Sequence, residues 1–211
     1  MRARFTVAEI RTHAIGIVDR DGLGALSMRS LANALGTGPM TLYNYVKDRD
    51  ELEALVAEAV LADVKLPAPS DDWLADVKSI ATAVWESIRR HRNAVPLVLT
   101  RRTVSSEGFA PAERLIAALE HGGLADHDLL AGFRGVLSLV MGAAQVELAG
   151  AVPVGERKDA HAAGAADVGR LAGDRYPRMA ALAVTSQRSS MSADFDRALD
   201  MLLAGIHARS N

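Results

Sequence analysis

A chain of 211 residues with 49% hydrophobic side chains is long enough for one large domain, or for a small one followed by a larger one, so a sizeable core is expected. It has no cysteine, which excludes a disulfide framework, a thiolate metal site and a thiol nucleophile, and fits a reducing compartment. The formal net charge of −2 argues against a generic polyanion binder.

Apolar residues recur at three- and four-residue spacing along nearly the whole chain, with Ala and Leu dominant and β-branched runs short, so an all-α fold is predicted. The N-terminus "MRARFTVAEIRTHAIGIVDRDG" lacks the apolar run and cleavage site of a signal peptide. No later stretch approaches the roughly 18 uninterrupted apolar residues of a membrane span. A cytoplasmic protein with no membrane partner is expected. The first helix, about residues 6–20, places Val7, Ile10, Ala14, Ile17 and Val18 on one stripe, with Thr6 as cap and Gly22 and Gly24 as the stop. "ALSMRSLANALG" restarts with Ser27 as N-cap and turns Met28, Leu31, Ala32 and Leu35 inward before Gly36.

In "GTGPMTLYNYVKDRDEL" Gly38 can cap a third, short helix over Pro39 to Tyr45, because proline at the first helical position loses no hydrogen bond. Two short helices joined by a glycine-containing turn cross steeply, the helix-turn-helix arrangement whose second member can enter a DNA major groove. Charge is consistent with that use. Residues 1–47 hold six basic and three acidic side chains, a balance of +3, against 18 basic and 23 acidic in residues 48–211, a balance of −5. A basic head on an acidic body lets the head alone face nucleic acid, although ordinary scatter also produces such a difference.

A fourth helix over about residues 48–64 uses Leu52, Leu55, Val56, Ala59 and Val60. "KLPAPSDDW" then breaks the pattern, since Pro67 and Pro69 cannot continue a helix while Ser70 or Asp71 can cap the next. Trp73 to Arg92 reads as one long helix, "NAVPLVLTRRTVSSEG" as a looser connection, and "APAERLIAALEHGG" as a helix stopped by Gly122 and Gly123. Asp126 can cap "HDLLAGFRGVLSLVMGAAQVELA", too apolar on several faces to lie alone on a surface. Residues 151–167 read as a mobile loop, and two further helices close the chain, the last lined by Phe195, Leu199, Leu202, Leu203 and Ile206.

"ALSMRSLANALGTGPMTLYNYVKDRDELEALV", following a helix of the right length, resembles the tetracycline-repressor (TetR) family of bacterial transcription regulators. The resemblance is specific over about residues 6–60 and rests on helical organisation alone over residues 70–211. It implies a DNA-binding domain over residues 1–47, a connecting helix and linker over 48–68, and a ligand-binding and dimerisation domain over 69–211. It implies partners as well: double-stranded DNA with a palindromic operator, a small-molecule effector, and a second copy of the chain. Carried over residue by residue, the recognition helix is Gly38, Pro39, Met40, Thr41, Tyr43, Asn44 and Tyr45. Lys47 is placed at a phosphate, and Ser27 and Arg29 on the preceding helix face DNA, Arg29 within reach of a guanine edge. Arginine can donate two bonds to guanine O6 and N7, while tyrosine, threonine and lysine fix register on the backbone. Tyr45 reads equally as contact or packing, Lys47 as contact or solvated residue, and Met40 as thymine-methyl contact or packing. Asn44 is a plausible adenine reader. Gly38 and Met40 depart from the family's usual types at their positions.

For the body, Trp85, Val98, Leu115, Phe133, Met141 and Gln145 are candidate walls of an apolar pocket, with Arg101 as a polar anchor, although each also reads as ordinary core or surface. The long helix and the terminal helix are candidates for a two-fold interface, through Gly132, Gly135, Gly142, Ala143, Ala144, Leu202 and Leu203. His13, His91, His121, His127, His161 and His207 form no i, i+4 ligand pair, and no nucleophile elbow or phosphate-cradling loop is present. Neither an enzyme, a metal nor a cofactor is expected. The leading expectation is a repressor released from its operator by a small molecule. The alternative is a constitutive dimeric DNA-binding protein whose C-terminal domain only dimerises, and a cavity above about 300 Å³ separates the two.

Overall fold

A computed structural model describes residues 5–101, 106–149 and 157–210, which are helical throughout their regular elements and contain no strand. Helix α1 (Val7–Asp21) starts at a capping box: Thr6 Oγ1 accepts from the Glu9 N–H at 3.1 Å and the Glu9 carboxylate accepts from the Thr6 N–H at 2.7 Å. It stops at Gly22, whose φ of 82° suits a residue without Cβ. The predicted stripe is buried at Ile10, Ala14, Ile17 and Val18, whereas Val7 in the first turn is exposed. Helix α2 (Met28–Ala34) begins with the Ser27–Ser30 pair capping one another's backbone N–H.

Helix α3 (Pro39–Leu42) starts after Gly38 as expected but is a single α-helical turn. Beyond it the Tyr45 N–H reaches back only three residues, to the Leu42 carbonyl at 2.8 Å, so Tyr43 to Tyr45 continue as a tighter turn. Leu42 and Val46 are fully buried and fasten this segment to the head. Helix α4 (Arg49–Ala62) is capped by Asp48, which accepts from the Glu51 N–H at 2.9 Å.

Helices α5 (Trp73–Arg90), α6 (Val95–Thr100), α7 (Ala110–His121), α8 (Asp126–Ala149) and α11 (Met191–Ser210) form the body, with α5 on α7 and α8, and α8 on α11. The "NAVPLVLT" stretch is thus more ordered than a loose connection. Ser70 closes the linker onto the body, donating from its N–H and its hydroxyl to Asp76, and these bonds hold the Asp76 carboxyl below its ordinary range. Gly132 and Gly135 serve packing inside the chain: a Cβ on Gly132 would meet Leu124 at 3.1 Å, and one on Gly135 would meet Leu202 at 3.6 Å. Asp126 to Glu147 is long and apolar enough by composition to cross a membrane, and it packs on α5, α6, α7 and α11.

Residues 157–167, read as loop from the sequence, are helical: α9 (Arg157–Ala172) packs on α10 (Pro177–Ser186) as a hairpin. Alanine, the strongest helix former, outweighs the single Gly164 here. Residues 151–156 of the predicted loop lie outside the described residues.

One continuous core runs from Ile10 to Ile206 and so joins head and body. Polar ties reinforce the junction: Ser87 Oγ donates to the Val60 carbonyl at 2.7 Å, Arg90 pairs with Asp63 at 2.9 Å, and Asn93 Nδ2 donates to the Val18 carbonyl at 3.0 Å. His91 Nδ1 lies 2.8 Å from Asp19 Oδ2 and completes the contact between α1 and the end of α5.

Candidate nucleic-acid interface and cavity

Helices α2 and α3 pack together, and the side chains singled out in the sequence divide cleanly by exposure. Ser27, Arg29, Gly38, Pro39, Met40, Tyr43, Asn44 and Lys47 are exposed, and Thr41 is half-buried. Met40 is 78% exposed and Tyr43 48%, so neither large side chain is spent on the core of its own chain. Tyr45 differs: it is half-buried, its ring meets Phe5 edge-on at 6.3 Å, and its hydroxyl accepts from the Phe5 N–H at 3.2 Å. Asn44 turns part of its side chain back on the turn, Nδ2 donating to the Thr41 carbonyl at 3.3 Å. The surface left by α2, α3 and the following turn is hydroxyl-rich and carries Arg29 and Lys47, a combination suited to phosphate and base-edge contacts.

Immediately after this surface, Glu53 of α4 is 7% exposed and held by two arginines. Its Oε1 accepts from Arg49 Nε at 2.7 Å and its Oε2 from Arg101 Nη2 at 2.6 Å, while Arg101 also reaches Asp50 at 2.9 Å. Burial opposes the charge on Glu53, but the bonds and positive charge of Arg49 and Arg101 outweigh it and hold the carboxyl below its ordinary value. Arg101 is the residue that ends α6. The first turns of the connecting helix are therefore tied to the end of a body helix.

The body holds a partly open cavity of about 380 Å³. Among the described residues its wall comes from Leu61 of α4, Ile80, Ala81 and Val84 of α5, Val98 of α6, Gly108 and Phe109, Pro111, Ala112 and Leu115 of α7, and Phe133, Val136, Leu137, Val140 and Met141 of α8. Val98, Leu115, Phe133 and Met141 are brought together there as the sequence suggested. Trp85, Arg101 and Gln145 lie elsewhere. Trp85 is buried against Phe195, rings stacked at 4.2 Å, with the Arg89 guanidinium 4.5 Å from its centre. Arg101 is engaged by the acidic residues of α4, and Gln145 points from α8 to solvent. Leu61, Ile80, Val84 and Val140 were not singled out because an apolar helical position facing a void has the same sequence signature as one facing the core. No group of three acidic or histidine side chains among the described residues is placed to hold a metal ion.

The family described as "Tetracyclin repressor-like, C-terminal domain" matches residues 66–210. An "HTH-type transcriptional regulator" of Saccharopolyspora erythraea is 32% identical over 143 residues, covering 67% of this chain and 61% of the relative. The "HTH-type transcriptional repressor DrrR1" of Streptomyces coeruleorubidus is 30% identical over 145 residues, covering 68% of this chain and 54% of the relative. The match thus spans little more than half the length of either curated relative. Apo ActR from Streptomyces coelicolor superposes with a TM-score of 0.82 at 29% identity, covering 100% of this chain and 98% of that one. ActR solved in complex with actinorhodin gives 0.81 at 28% identity, covering 98% and 97%.

Proposed function

The chain belongs to the tetracycline-repressor family, and on that premise we propose that it is a dimeric transcriptional regulator that releases a palindromic operator when a small molecule fills its body cavity. Its relatives are transcription regulators rather than enzymes. The observation that carries the reading is the cavity itself, about 380 Å³, within the size range of ordinary ligand sites of roughly 300–1,000 Å³. A solid body core would have favoured the alternative of a constitutive binder that only dimerises.

The cavity's position supplies the coupling. Leu61 of the connecting helix and Val98 of α6 both face it, and Arg101, three residues beyond Val98, grips Asp50 and Glu53 at the start of α4. A ligand that parts α4 from α6 therefore moves the segment directly behind the recognition helix. It shifts DNA occupancy to the extent that it prefers one arrangement over the other. Arg29, Tyr43, Thr41 and Lys47 take the DNA contacts, with Met40 beside them as an apolar contact. Tyr45 supports the head from within, through Phe5.

Selection of bound sequences from a random DNA pool, with and without a small-molecule library, tests the whole reading. A palindromic consensus that is lost with at least one compound is the expected result. Recovery of a consensus that no compound alters would favour the constitutive alternative.

A further inference from the structure

We propose that the effector is an uncharged molecule poor in hydrogen-bonding groups, an inference that rests on the reading of the body cavity as the effector site. Every described residue of the wall is an aliphatic, aromatic, thioether, proline or glycine residue. The wall is contributed by five helices, so this uniformity is not the property of one amphipathic face. Three arginines of the surrounding body are engaged elsewhere. Arg101 is taken by Asp50 and Glu53, Arg89 is paired with Glu147 at 3.0 Å, and Arg114 donates to the Pro67 carbonyl at 3.4 Å.

A carboxylate, sulfonate or ammonium drawn into this cavity would trade water for no described side-chain partner, and a neutral hydroxyl or amide would find few polar groups there. Each unmet polar group of that kind weakens binding about tenfold, and an unpaired ion weakens it more. A carbon-rich ring system meets no such penalty, and Phe133 together with the Met141 thioether gives it faces to pack on. Among the described residues, Phe109, 55% exposed, and Leu137, 39% exposed, mark the side from which such a molecule enters.

Two fluorescent probes that share one skeleton test the inference directly. N-phenyl-naphthylamine is neutral, and anilinonaphthalene sulfonate is the same framework carrying an anion. Titrated into the protein, the neutral probe is expected to bind about tenfold or more tightly than the anion. Placing a cation in the wall with Met141→Lys is expected to shrink or reverse that ratio, and filling the cavity with Ala112→Phe to abolish the neutral probe's signal. Circular dichroism reports whether each variant has folded, and the ratio on the unaltered protein decides if neither has. Equal or tighter binding of the anion overturns the inference. Operator release measured with a panel of neutral and anionic compounds separates this failure from that of the parent reading. Release by anions alone sinks the effector class while leaving the regulator reading intact, whereas release by none of them sinks the regulator reading.

Discussion

Lys47 and Tyr45 stand two residues apart and carry opposite expectations. Lys47 is exposed beside the recognition helix, so Lys47→Ala should weaken operator binding and lower the slope of affinity against salt by about one unit, the signature of a lost phosphate contact. An unchanged slope in titrations at several salt concentrations would remove Lys47 from the interface. Tyr45→Phe should leave DNA affinity nearly unchanged but cost about 0.5–1.5 kcal/mol of stability, because the Phe5 N–H loses its acceptor. Denaturant unfolding alongside DNA titration separates these effects. The sequence marked the tyrosines as a pair but left their division open, since only the path of residues before α1 brings Phe5 beneath Tyr45. A third position was legible only as a helix stop. A Cβ on Gly122 would lie 2.5 Å from the Trp73 ring. Gly122→Ala, although compatible with the local φ of −72°, should therefore destabilise the body by about 1–3 kcal/mol in urea unfolding.

Among the elements, the contact between α6 and α4 carries a pH signature. The Glu53 carboxyl is held below its ordinary value of 4.5 in the folded chain. Its contribution to stability is therefore whole above that value and is lost as pH falls through the lower, folded-state value. Melting temperatures measured from neutral to acidic pH should fall less steeply for Glu53→Gln than for the unaltered protein over that acidic window. Equal slopes would show that the pair contributes nothing. Arg101→Ala should weaken the link between cavity and head, so that release of operator requires about tenfold more effector, a coupling of ordinary size. The sequence placed α1 to α5 closely because caps, prolines and apolar spacing agree there. It missed Arg101's role because ion pairs 48 and 51 residues apart leave no local trace. It also read residues 157–167 as loop because a glycine and polar neighbours obscured an alanine-rich helix.

At the scale of the whole molecule, the α9–α10 hairpin is the least satisfied part of the single chain. Leu171 is 77% exposed and Leu182 62%, more apolar surface than an isolated chain ordinarily leaves in water on so small a unit. We propose that a second copy of the chain covers it, together with Met201 of α11 and the outer side of α8. Leu171→Glu with Leu182→Glu should convert the sedimenting dimer to monomer and reduce operator affinity about a hundredfold or more, because each head then binds its half-site alone. A double variant that still sediments as a dimer would move the interface to α8 and α11 alone, where the sequence first placed it. The all-helical architecture was readable from periodicity except over α6 and the first part of α9. The cavity was only half readable, because a void is a property of how helices fail to meet and no single helix records it.

The dual use of α4 limits how this protein can be taken apart and recombined. Its first turns carry Glu53 for Arg101, and its last turn lends Leu61 to the cavity wall, so it belongs to the proposed reader and the proposed sensor at once. A chimaera that grafts the first 47 residues onto another body inherits the reading surface without its hinge. One joined after α4 imports a foreign panel into the new sensor's wall. Exchange of specificities within such a lineage must therefore carry α4's two ends to different owners, which favours gradual substitution along the helix over the shuffling of whole parts.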